Sequence, residues 1–147
     1  GGKMKHRILI AEDDQDIGRL AVFKLKREGW EIIWKTDGKS ALDSALIMPP
    51  DLIILDIMMP VMDGYEVLDA LKKDQKTQDI PVILFTARGQ VSDVMKGKQF
   101  KVVDYIVKPF KPNELAGRVR KILEGDKPKV EAPSPESVQD FEKKEKE

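Results

Sequence analysis

Residues 50–65, PDLIILDIMMPVMDGY, decide the fold. Four apolar residues, Leu52 to Leu55, run without a break into a single acid, Asp56, and then into methionines, a proline and an Asp-Gly pair. A short apolar run bounded by turn residues marks a strand buried on both faces, as in a parallel sheet. An acid that ends such a run emerges at the rim of the sheet, where it can react.

The same pattern recurs on either side. Residues 7–11 (RILIA) form another apolar run, ended by the acids Glu12, Asp13 and Asp14, and residues 31–36, 80–86 and 102–107 complete a set of five strands. Between them the apolar spacing changes to three and four, the helical period. Ile17, Leu20, Ala21 and Leu25 make one stripe, ended by Gly29, and Ala41, Leu42, Ala45 and Leu46 make a second, stopped by Pro49 and Pro50. Val67, Leu68 and Leu71 mark a helix over 65–73, and Leu115, Val119, Ile122 and Leu123 mark one over 112–123, opened by Pro112. Residues 90–100 are the poorest helix, with Val91, Val94 and Met95 inward and Gly97 inside it. Trp30 and Trp34 read as bulk covering the sheet. Strands separated by helices pair in parallel through crossovers. The expected fold is therefore α/β, a doubly wound five-stranded parallel sheet with five flanking helices in a single domain.

Composition narrows the function. The 147 residues are 41% hydrophobic, enough for one core of ordinary size. Lys plus Arg and Asp plus Glu number 26 each, so the chain lacks the field by which a nucleic-acid or membrane-surface binder attracts its partner. Cysteine is absent, which excludes disulfides and thiolate chemistry. No apolar run approaches the ~20 residues that span a bilayer, and a cytoplasmic location is expected. Residues 1–6 read as an extension or tag remnant, 7–124 as the domain, and 125–147, charged and proline-containing, as a linker or tail.

The polar residues of interest all fall at the carboxyl ends of strands, where doubly wound sheets collect function. Asp13 and Asp14 follow the first strand, Asp56 the third, Thr86 the fourth and Lys108 the fifth. Taken alone, Asp14 reads equally well as a helix N-cap. Three carboxylates on one rim repel one another unless a cation joins them. With oxygen the only donor on offer, magnesium or manganese is implied rather than zinc. Magnesium uses one or two carboxylates, which leaves an acid free to act as a nucleophile toward phosphorus. Lys108 and the Thr86 hydroxyl would then meet the phosphoryl oxygens. Asp63-Gly64 reads as the turn that starts the next helix.

The blocks ILIAEDDQDI, PDLIILDIMMPVMDGYEVL, PVILFTA and DYIVKPF, in this order, resemble a bacterial two-component response-regulator receiver domain. The resemblance implies the flavodoxin-like receiver fold and a magnesium-dependent switch, with Asp56 as phospho-acceptor for a sensor histidine kinase or phosphotransfer protein. It implies that Asp13 and Asp14 hold the metal with Asp56, and that Met58 adds a backbone carbonyl. Thr86 becomes the switch hydroxyl, Lys108 the phosphate-contacting lysine before a cis Pro109, and Tyr105 the aromatic that turns inward on activation. Met58 and Arg88 occupy the positions that tune phosphate lifetime. The output would be a target protein or an effector domain of a longer chain, without direct nucleic-acid or membrane binding, and the chain would turn over no separate substrate as an enzyme does. A homodimer through the 90–100 helix, the fifth strand and the last helix is a further arrangement of the family, for which Arg118 and Asp104 are candidates. Lys101, Val102 and Val103 depart from the usual sequence before the tyrosine. The alternative is a receiver-like interaction module that works without phosphorylation.

Overall fold

Successive side chains of a strand point to opposite faces, and that alternation builds both halves of the core. The computed structural model describes residues 5–87 and 102–125. Strands β1 (Arg7–Ala11), β2 (Glu31–Lys35), β3 (Leu52–Asp56), β4 (Val82–Ala87) and β5 (Asp104–Lys108) form one parallel sheet in the order β2-β1-β3-β4-β5. Ile8, Ile10, Ile54 and Phe85 face α1 (Gln15–Arg27) and α4 (Pro112–Glu124) on one side. Leu9, Ile53, Leu55 and Leu84 face α2 (Gly38–Ile47) and α3 (Gly64–Lys73) on the other. Every residue of β3 is buried, as its unbroken apolar run predicts.

The described residues thus contain five strands and four helices. The helix expected over 90–100 lies outside them, as do residues 1–4, Arg88, Lys101 and the tail beyond 125. Aspartates start three of the helices: Asp14, Asp37 and Asp63 accept from the backbone N–H of Ile17, Ser40 and Glu66 at the N-termini of α1, α2 and α3. Each such cap stabilises a helix by ~1 kcal/mol.

Three expectations shift, one of them being β5, which runs Asp104–Lys108 rather than over 102–107. The inner stripe of α1 is Gly18, Ala21 and Leu25, and Leu20 is turned outward at 41% exposure. The space over Gly18 is filled by Trp34, since a Cβ there would come within 2.1 Å of the indole Cζ2. Strand β4 begins at Val82 rather than at residue 80, because the Ile80 N–H turns back to the Thr77 carbonyl and Pro81 has no N–H to give.

In the loop after β3, the Met62 N–H donates to the Pro60 carbonyl at 2.8 Å and holds Val61 at φ 71. This three-residue turn is the rare, strained form, and a β-branched residue at positive φ is a steric outlier. Val61 is 82% exposed, so its side chain makes little compensating burial. Replacing Val61 with glycine is therefore expected to stabilise the fold by ~1 kcal/mol, read as a rise in the urea midpoint. A lower midpoint would mean that the valine makes a contact that outweighs the strain.

Candidate functional site

From β1 the chain passes outward to β2 on one side, and beyond β3 lie β4 and β5 on the other, so a crevice opens at the carboxyl ends of these two neighbours. The register pairs Ile10 with Ile54 and Ala11 with Leu55. Continued by one residue, it sets Glu12 beside Asp56.

Asp56 is the last residue of β3 and is 3% exposed. Lys108, the last residue of β5, places Nζ 3.2 Å from Asp56 Oδ2 and 3.1 Å from Glu12 Oε1. Glu12 Oε2 accepts from the Asp14 backbone N–H at 3.1 Å, and Asp56 Oδ1 accepts from the Met58 N–H at 3.3 Å. The Lys108–Pro109 peptide is cis, and Phe110 beyond it stacks on Phe85 with ring centroids 5.1 Å apart. That stack anchors the turn from which Lys108 reaches across the sheet.

Two glycines complete the crevice by what they lack. The Gly64 N–H donates to the Ile57 carbonyl at 2.8 Å, and a Cβ on Gly64 would lie 2.6 Å from the Asp56 carbonyl oxygen. A Cβ on Gly38 would strike the Met62 carbonyl. Gly64 therefore does more than turn the chain, because it lets α3 start hard against the backbone of the central acid.

The electrostatics follow from burial. Glu12 is fully buried, and desolvation together with the neighbouring Asp56 charge pushes its pKa up to about 7. Burial also raises Asp56, against the pull of Lys108. Burial acts to lower Lys108, yet Asp56 and Glu12 more than offset it, and its pKa rises. The lysine stays charged while the two acids compete for it. Thr86, fully buried on β4, carries a hydroxyl without a hydrogen-bond partner among the described residues.

Glu12, Asp13 and Asp56 each offer a carboxylate oxygen within 4.8 Å of the others. An all-oxygen donor set with excess negative charge fits a hard divalent cation, which would relieve the repulsion that raises Glu12. Asp14 stands apart from this set. Its carboxylate accepts the Ile17 N–H at 3.0 Å and caps α1, so the acid pair at the end of β1 is Glu12 and Asp13 rather than Asp13 and Asp14. The signal was present in the sequence, since the runs 8–11 and 52–55 each contain four apolar residues before an acid. Met58 is 63% exposed at the mouth. Tyr105 is 2% exposed, so its ring already lies inward, and Arg88 is outside the described residues.

A doubly wound sheet with acids, a hydroxyl and a lysine at its carboxyl ends defines a flavodoxin-like receiver. Residues 8–120 match the response regulator receiver domain family, and the chain belongs to it. It is 40% identical over 117 residues to the DNA-binding dual master transcriptional regulator RpaA of Synechocystis, covering 80% of this chain and 48% of that protein. It is 36% identical over 137 residues to the alkaline phosphatase synthesis transcriptional regulatory protein PhoP of Bacillus subtilis, covering 93% of this chain and 55% of that one. The chain thus spans about half the length of these relatives. Among solved structures, the chemotaxis response regulator CheY4 of Vibrio cholerae superposes with a TM-score of 0.76 at 28% identity, over 82% of this chain and all of that one. The receiver domain of the Francisella response regulator 1452 gives 0.75 at 31% identity, over 84% of this chain and 100% of that one.

Proposed function

We propose that Asp56 accepts a phosphoryl group from a histidine kinase or phosphotransfer protein, and that the resulting change of shape controls a partner or an output segment of a longer chain. The observation that carries this reading is the pairing of donors around one buried acid. Lys108 Nζ stands 3.2 Å from Asp56 Oδ2, and the buried Thr86 hydroxyl has a proton to give and no partner among the described residues. In the transfer, an Asp56 carboxylate oxygen forms a bond to phosphorus while the bond from phosphorus to the donor imidazole nitrogen breaks, and that nitrogen keeps the electron pair. Lys108 neutralises the charge brought in, and Thr86 donates to a phosphoryl oxygen. Magnesium or manganese, held by Glu12, Asp13, Asp56 and the Met58 carbonyl, would supply positive charge toward the incoming anion.

Thr86 is the switch in this reading, drawn toward the phosphoryl group beside the buried Tyr105. Met58 and Arg88 set the lifetime of the phosphate. The chain catalyses only its own phosphorylation and hydrolysis. The names of RpaA and PhoP, both transcriptional regulators about twice as long as the matched segment, support a separate output segment as the effector. No helix among the described residues is long and apolar enough to cross a membrane, and the proposed setting is the cytoplasm. For a homodimer through β5 and α4, the contact to be exchanged is the one that Arg118 makes within the chain, to Asp104 Oδ1 at 2.8 Å and to the Tyr105 carbonyl at 3.0 Å.

The test is intact-mass spectrometry after incubation with acetyl phosphate. One phosphoryl adduct is expected with magnesium and none with excess EDTA. A chain that takes up no phosphoryl group under either condition would instead be a receiver-like interaction module.

A further inference from the structure

Glu12 sits at the centre of the site, and β2 holds its backbone on both sides. The ladder between β1 and β2 ends with Ala11 paired to Lys35. One residue further on, the Glu12 N–H still donates to the Lys35 carbonyl at 3.0 Å. The Glu12 carbonyl accepts instead from a side chain, the indole Nε1–H of Trp34, at 2.9 Å. Main chain thus fixes one peptide group of Glu12, and an indole fixes the next.

The indole reaches that carbonyl by lying against α1 at Gly18. A Cβ at Gly18 would meet Trp34 Cζ2 at 2.1 Å, Cε2 at 2.4 Å and Nε1 at 2.8 Å. Glycine inside a helix is unfavourable relative to alanine, and here the missing side chain is the seat on which the tryptophan rests. The two residues form a complementary pair, a large group on the strand and none on the helix. Trp30, just before β2, differs, since its indole donates to Glu124 Oε2 at 3.0 Å, on α4. Only Trp34 among the described tryptophans touches the backbone of the site.

We propose that Trp34 is a positioning residue: its indole N–H, seated on Gly18, fixes the peptide between Glu12 and Asp13 and so aims both carboxylates toward Asp56. The proposal rests on the reading that these three acids hold a divalent cation. Partners that orient metal ligands commonly affect metal affinity strongly when removed. A role as sheet-covering bulk would need the ring but not its N–H, which separates the two accounts.

The experiment uses the unphosphorylated full chain and compares wild type, Trp34→Phe, Gly18→Ala and the double variant, titrated with magnesium by calorimetry and unfolded in urea. Phenylalanine keeps a ring over Gly18 and removes the donor. Trp34→Phe should weaken magnesium binding on the order of fivefold, the size of one net hydrogen bond, and lower the urea midpoint modestly, because the Glu12 carbonyl loses its donor in the metal-free fold as well. Gly18→Ala should push the indole off its seat, weakening both magnesium binding and stability. The double variant should regain stability, because the smaller ring admits the added methyl, without regaining affinity. In metal-free protein, the 15N resonance of Asp13, whose N–H shares a peptide group with the Glu12 carbonyl, should move in both single variants. Wild-type affinity in Trp34→Phe, an unmoved Asp13 resonance, or a double variant that regains affinity together with stability overturns the proposal. Should wild type itself bind no magnesium, the metal reading fails, and the Asp13 resonance alone decides the role of Trp34.

Discussion

Asp56→Asn is expected to take up no phosphoryl group from acetyl phosphate, yet in EDTA at pH 8 to be at least as resistant to urea as the wild type. The first half follows from chemistry, because an amide oxygen is a poor nucleophile toward phosphorus. Loss of a nucleophile slows such a reaction by roughly a thousandfold or more. The second half follows from the site. Burial raises the pKa of Asp56, Lys108 only partly offsets it, and the Asp56 charge in turn helps to raise Glu12. An asparagine of nearly the same shape keeps an oxygen for the Met58 N–H and removes one of the charges that compete for Lys108. The gain expected in metal-free protein is ~1 kcal/mol, in keeping with functional sites that carry strain for their chemistry. Intact-mass spectrometry and urea unfolding on the same sample decide the matter. Labelling of the variant at the wild-type rate would move the acceptor to another residue. A variant that unfolds early would show that the acid is needed for the fold, and the loss of label would then say nothing of chemistry.

The fold was legible because the physics that builds it is written in periods. Residues 52–55 are apolar at every position since both faces of β3 are covered, and α3 shows its inner face at Val67, Leu68 and Leu71. Acids, hydroxyl and lysine could be placed on one rim from the order of strands alone. What stayed open was the assignment within the acid cluster, where Asp14 reads either as a metal ligand or as a cap. Three consecutive acids look interchangeable in sequence, but a helix that begins at Gln15 claims the residue before it as a cap. Once Asp14 is committed to the Ile17 N–H, Glu12 and Asp13 remain, and the parallel register with β3 sets Glu12 beside Asp56. Gly18 escaped for a different reason. Its partner, Trp34, is distant in sequence, and no periodicity announces that a glycine on a helix and a tryptophan on a strand will meet. Val61 likewise reads as an ordinary loop residue until its φ of 71 is known.

Glu12 also gives the metal-free chain a pH dependence whose sign is opposite to that of a salt-bridged acid. Its pKa in the fold is about 7, above the ordinary 4.5, with burial as the main cause and Asp56 as the second. The folded chain therefore binds this proton more tightly than the unfolded one. The associated stability is fully present below pH 4.5 and is lost as pH rises toward 7, by roughly 3 kcal/mol if Glu12 acted alone. Asp56 is raised as well and acts in the same direction, while the raised Lys108 titrates far above this window. Asp37 is lowered by its cap bonds and so acts in the opposite sense, but below the ordinary aspartate value of 3.8. The wild type in EDTA is thus expected to lose stability from pH 5 to pH 8, and Glu12→Gln to lose much less. At pH 8 the glutamine variant should exceed the wild type by ~2 kcal/mol, less than the full figure because Lys108 loses one of its two partners. Magnesium requires ionised carboxylates, so it should restore the wild type more at pH 8 than at pH 5 and act weakly on Glu12→Gln. Urea midpoints at the two pH values, with and without magnesium, provide the measurement. A wild-type midpoint in EDTA that rose between pH 5 and pH 8 would mean that Glu12 is held ionised by Lys108, and that the buried pair rather than a shared proton balances the site.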